Sequence, residues 1–168
     1  MTTISKITSI TLLFLALSFS AAAQYSLVWS DEFNGNALDG AKWAYEIGDG
    51  CPNLCGWGNN EAQFYTSRPN NVKVDTGYLH IIAKQEQYQG ASYTSGRIKT
   101  QGRYDFQYGK IEARIKMPMG QGIWPAFWML GSNITSVSWP QCGEIDIMEH
   151  INSSPDIHGT IHYNLNNS

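Results

Sequence analysis

Glu144, Asp146 and Glu149 fall within the six residues Glu144-Ile145-Asp146-Ile147-Met148-Glu149. Paired carboxyl groups are what glycoside hydrolysis needs: one ionised to attack an anomeric carbon, the other protonated to give its proton to the leaving oxygen. Retaining enzymes hold the two groups ~5–5.5 Å apart, and inverting enzymes leave more room for a water. A third carboxylate between them raises the proton affinity of its neighbours and can orient the attacking group by a hydrogen bond. Two plainer readings compete. The acids are the solvated side of an amphipathic strand, or they bind calcium, although their spacing is not that of a calcium loop. Like charges crowded on one strand face cost stability, and a Trp-rich run lies just upstream. Both observations favour catalysis.

Placing these groups requires a strand with a defect. Alternation from Glu144 to Ile147 has the period of a strand with one polar and one apolar face, so Glu144 and Asp146 share a side. Continued alternation turns Glu149 toward the core. One extra residue at Met148, a β-bulge, returns it to the other two. Upstream, residues 123–130 form a dense aromatic strand with Trp124, Ala126, Trp128 and Leu130 on one face. Apolar on both faces, it reads as a central, covered strand; in an open groove the same Trp face becomes a stacking platform for sugar rings. Residues 157–163 are another strand, with His158, Thr160 and His162 together on one side.

The rest of the chain reads as many short strands between turns, an all-β sandwich. Strands are expected over 25–33, 62–66, 72–75, 78–83, 93–100 and 108–117, with a helical turn at 39–43 and long loops at 48–60 and 132–139. The run 108–117 has the clearest alternation, Ile111, Ala113, Ile115 and Met117 against Lys110, Glu112, Arg114 and Lys116. Residues 1–23 read as an export signal: Lys6 leads, an apolar run follows over 10–19, and Ala21-Ala22-Ala23 offers a cleavage site. That run is too short to span a bilayer. One domain, 24–168, remains. Net charge is −3 with scattered basic residues, which argues against nucleic acid. Six Trp and nine Tyr suit sugar stacking or a Trp-rich core, and composition alone favours the core. Cys51 and Cys55 are close enough to pair after export, leaving Cys142 over; too few His and Cys cluster for zinc.

The hexapeptide Glu-Ile-Asp-Ile-Met-Glu resembles the active-site signature of glycoside hydrolase family 16, in the bulged form of its laminarinase-like members. Residues 57–66, from Trp57-Gly58-Asn59-Asn60-Glu61, are similar to a second landmark of that family. Tyr93-Thr94-Ser95-Gly96-Arg97-Ile98, residues 108–114, 122–131 and His158-Gly159-Thr160-Ile161-His162 follow in the family's order. The resemblance implies a β-jelly-roll of two antiparallel sheets, with an open cleft for β-glucan on the concave one. It implies retaining endo-hydrolysis of β-1,3-glucan by a secreted protein, extracellular or periplasmic, with Glu144 as nucleophile, Glu149 as acid then base, and Asp146 as helper. Other specificities of the family, for mixed-linkage glucan or galactan, and a non-catalytic glucan-binding protein are the alternatives. Asn60, Glu112, Arg114, Trp124, Trp128, Trp139 and His162 would contact sugar; for His162 a packed strand histidine is an equal reading. No cofactor, bound metal, nucleic acid or membrane partner is implied; a structural calcium and a monomeric state belong to the complete domain. In the family more strands follow the His158–His162 landmark, and this chain carries no residues for them. It therefore reads as the N-terminal portion of such a domain.

Overall fold

The computed structural model describes residues 25–164; the export signal expected over 1–23 lies outside the described residues. Ten strands are present: β1 (Ala44–Glu46), β2 (Gln63–Tyr65), β3 (Val72–Asp75), β4 (Tyr78–Ile81), β5 (Lys84–Tyr88), β6 (Ala91–Ser95), β7 (Arg97–Lys99), β8 (Ala126–Leu130), β9 (Glu144–Glu149) and β10 (His158–His162). One α-helix, Ile134–Val137, is a single turn. The chain is all-β, as its turn-punctuated short runs require. Its strands form four ladders: β1–β7, β3–β4, β2–β6–β5 and β8–β9–β10 with β9 central. All pairs are antiparallel except β2 with β6. Hairpin β3–β4 turns through Thr76 and Gly77, both at positive φ, the backbone a two-residue hairpin of matching twist demands.

Two expected strands do not form. Residues 25–33 join no ladder, and Leu27 and Val28 are 83% and 76% exposed. Aromatic packing holds this segment instead: Trp29 stacks on Tyr104 and meets Trp43 edge-on, 5.7 Å and 5.4 Å between centroids. The Trp43 indole N–H donates to Asp31. Residues 108–117 likewise pair with no strand, despite the best alternation in the sequence. Alternation sorts side chains between two faces; it does not supply the neighbour whose backbone completes a ladder. The run expected over 93–100 is broken at Gly96, where a Cβ would lie 2.2 Å from Val72 Cγ2. Gly96 alone lies between β6 and β7. The helical turn is present, with Trp43 N–H donating to the Asp39 carbonyl.

Few apolar side chains are enclosed. Val72, Val74 and Met148 are the buried hydrophobics among the described residues. A polar cluster sits between β2, β3 and β6. Asn71 is fully buried; its amide donates to the Ile82 carbonyl (3.0 Å) and Thr94 Oγ1 (2.9 Å), and its oxygen accepts from Thr66 Oγ1. Buried polar groups hold structure only while each is satisfied. Asn71→Ala removes one partner from each and costs about 2 kcal/mol. Hydrogen exchange at the Ile82 amide, which donates to the Asn71 carbonyl, is expected to lose about 30-fold in protection.

Candidate active site

The central ladder decides where the carboxylates point. On β8, Leu130, Trp128, Phe127 and Ala126 pair with Glu144, Asp146, Met148 and Glu149. Four steps on β8 thus match five on β9, and Ile147 is passed over. On the other side, His162, Thr160 and His158 pair with Glu144, Asp146 and Glu149, again four steps against five. An even count on both neighbours keeps Glu144, Asp146 and Glu149 on one face, since directly paired residues share a side. The bulge is present, and the unpaired residue is Ile147 rather than Met148. Met148 stays paired with Phe127 and buried, so the skipped residue is the one whose loss costs the core least. At the head of the hairpin Gly131 N–H donates to the Gly143 carbonyl. A Cβ at Gly131 would fall 2.0 Å from the Cys142 carbonyl oxygen, so only glycine lets β8 and β9 close there.

The face carries Trp128, Ala126, Thr160, His158 and His162 around the acids. Trp124 Nε1 donates to Glu149 Oε1 at 2.9 Å. Asp146 is buried, and His162 Nε2 stands 3.1 Å from its Oδ2. The Trp139 ring lies 5.9 Å from that of His162. Burial, then the charge of Asp146, push the Glu144 carboxyl up, opposed by the positive charge of His162 and by the Trp139 indole. Both outer carboxyl groups thus meet an indole, Trp124 at Glu149 and Trp139 at Glu144, and Glu144 also has the buried Asp146 beside it.

Residues 53–168 match a family model described as XgeA-like, catalytic GH16 domain. The chain belongs to glycoside hydrolase family 16. It is 47% identical over 146 residues to a beta-glucanase of Rhodothermus marinus, covering 84% of this chain and 49% of that protein. The laminarinase of Flavobacterium sp. UMI-01 superposes with a TM-score of 0.75 at 57% identity, over 82% of this chain and 57% of that one. The catalytic domain of an endo-1,3-beta-glucanase (laminarinase) from Thermotoga petrophila gives 0.80 at 46%, over 84% and 57%. The strands described above are thus part of the jelly-roll that family 16 laminarinases share. The chain spans 49% of the length of the first curated relative it matches and 20% of the second.

Not every residue expected at the family 16 cleft gathers there. Glu112 and Arg114 lie on the unpaired run 108–117, exposed, and Glu112 pairs with its neighbour Lys110 at 2.8 Å. Without a ladder nothing turns that polar face toward β9. Asn60 is exposed at φ 57° at the end of loop 48–60 and makes no hydrogen bond to the acids. Trp139 and Trp124 are half-exposed beside the acids. Trp128 has an occupant of its own: the Arg97 guanidinium sits 4.9 Å from its ring and 4.4 Å from that of Trp57.

Arg97 and its surroundings were missed as a site. Its charge is met by Glu46, which also takes Lys99 at 2.7 Å, and Tyr65 lies 5.9 Å away. Burial, then the Glu61 carboxylate that accepts from its hydroxyl, push Tyr65 far above its usual range. This box joins β1, β2, β7 and loop 48–60 to the Trp128 platform. An Arg directly after a glycine break, among aromatic runs, was the only signal in the sequence. Cys51 and Cys55 are disulfide-bonded within the loop, and Cys142 is free.

Glu144, Asp146 and His162 each place one atom within 4.8 Å of the others, the one such group among the described residues. Two carboxylates and an imidazole already paired with one of them do not make the six to eight oxygens that calcium takes. At the Ser30–Asp39 hollow, the acid Asp31 is engaged by the Phe33 amide and the Trp43 indole.

Proposed function

We propose that this chain carries the catalytic face of a secreted, retaining endo-hydrolase of β-1,3-glucan of the laminarin type. One observation carries the reading. The bulge at Ile147 sets Glu144 and Glu149 on one face, with Asp146 between them and an indole on Glu149. The kinship with laminarinases supports the linkage. Glu144 attacks the anomeric carbon while Glu149 protonates the departing glycosidic oxygen, leaving a glycosyl ester on Glu144. Glu149, now ionised, takes a proton from water; the hydroxide attacks the same carbon and frees Glu144. The chemistry calls for two carboxyl groups and water, and so for no cofactor. Trp124 and Trp139 offer ring faces to pyranose units beside the acids. Export is supported by the signal over 1–23 and by a disulfide, which persists in oxidising compartments.

Reducing-end release is expected to be greater from laminarin than from agarose, carrageenan or cellulose. Equal or faster release from agarose would replace the glucanase reading with a galactanase on the same scaffold. Binding of laminarin without any release would point to a glucan-binding protein instead.

A further inference from the structure

We propose that Asn152 is a positioning residue for the general acid: it clamps the segment carrying Trp124, and so holds the indole that orients Glu149. This rests on the hydrolase reading above and deepens it. The β8–β9 ladder ends at Ala126 and Glu149, so Trp124 lies beyond it. There the two segments stay together through other hydrogen bonds. His150 N–H donates to the Pro125 carbonyl (3.1 Å) and Asn152 N–H to the Ile123 carbonyl (2.8 Å), one on each side of Trp124. The Asn152 carbonyl accepts from Gly120 N–H at 3.1 Å, and its side-chain Oδ1 from Gly122 N–H at 2.6 Å. Asn152 thus makes three of these four bonds. Its φ of 60° is left-handed, a backbone that asparagine tolerates better than bulkier side chains do.

Trp124 needs that support. It is half-exposed and meets Glu149 through a single N–H, 2.9 Å from Oε1. One hydrogen bond open to water contributes little net, so it does not fix an indole by itself. The backbone on both sides must do so. His150 lends its N–H, but its side chain is buried and tied to the Ser154 carbonyl, away from Trp124. Asn152 is exposed, and its side-chain oxygen is the one that reaches across to the Trp124 segment. A displaced acid loses rate steeply, because it must stay within hydrogen-bond reach of the oxygen it protonates. That loss falls on one step, cleavage of a bond to a poor leaving group. A dinitrophenyl glycoside breaks its bond without the proton: the phenolate leaves as the anion while Glu144 forms the ester. A sugar contact made by Trp124, or a general loosening of the sheet, would be felt with both kinds of substrate.

The test uses the full chain with Asn152→Gly, which keeps the left-handed backbone and removes Oδ1, and Asn152→Asp, which keeps the acceptor. Laminarin turnover in Asn152→Gly is expected to fall roughly tenfold. The burst of dinitrophenolate from a dinitrophenyl β-laminaribioside keeps its rate, and Asn152→Asp restores laminarin turnover. Exchange of the Trp124 indole N–H with solvent, followed by NMR, is expected to quicken about tenfold in the glycine variant. Equal losses on the two substrates overturn the proposal in favour of a merely structural role. Undiminished laminarin turnover in Asn152→Gly, or an aspartate variant no better than the glycine one, overturns it as well. If Asn152→Gly fails to fold, the unaltered chain still decides: the Gly122 amide must exchange slowly, and rapid exchange there overturns the proposal. Failure of the unaltered chain to act on either substrate defeats the hydrolase reading, and exchange at the Trp124 indole still judges the clamp.

Discussion

Glu144→Ala is expected to lower laminarin hydrolysis by roughly three orders of magnitude or more, as loss of an attacking group does elsewhere. The residue heads the bulged strand, half-buried on the catalytic face, with Asp146 on the same side and the Trp139 indole as a partner. Truncation leaves a space where the carboxylate stood. Azide is small and nucleophilic enough to enter it, and Glu149 still has its proton to give. A single displacement inverts the β-linked carbon, so the rescued product is an α-glycosyl azide. Glu149→Ala should behave differently. A substrate whose leaving group needs no protonation still forms the ester on Glu144, and azide then attacks that ester to give the β-glycosyl azide. The two azide products separate nucleophile from acid, which rate losses alone do not. Unchanged laminarin hydrolysis in Glu144→Ala would refute the assignment.

The acid face was legible because parity is a sequence property. Glu144 and Asp146 alternate, Glu149 does not, and only an odd insertion reconciles them. The position of the insertion was off by one residue, since counting cannot distinguish Ile147 from Met148; pairing of Met148 with Phe127 does so. The faces of β8 and β10 were legible for the same reason. What failed was pairing. Residues 25–33 and 108–117 have strand-like composition, yet a ladder is a property of two segments, and Glu112 and Arg114 lie exposed on a run that joins none. Arg97 was overlooked because its role comes from Trp57, Tyr65, Trp128 and Glu46, four positions scattered over 83 residues. The Asn71 cluster was hidden likewise: nothing local marks an asparagine as fully buried.

A preparation of residues 24–168 alone is expected to unfold without a sharp transition, to bind a hydrophobic dye strongly, and to associate as its concentration rises. Ordering each backbone residue costs roughly 1–2 kcal/mol, and burial of apolar surface is the main term that offsets it. Here the side of the central sheet opposite the acids is open: Ile145 is 43% and Ile161 66% exposed, with Ile157 and Tyr163 at 58% and 60% beside them. In a jelly-roll that side lies against a second sheet, and among the described residues no ladder covers it. Among the described residues β10 pairs only with β9, so its outer edge presents unpaired backbone, a template for a second chain. An apolar face beside a free edge is the combination that drives self-association. The catalytic row stands on this same sheet, so its geometry is as firm as the sheet's support allows, and activity should rise with whatever covers that face. A two-state melt of a monomer, independent of protein concentration and without dye binding, would show that the four ladders and the polar cluster around Asn71 suffice alone.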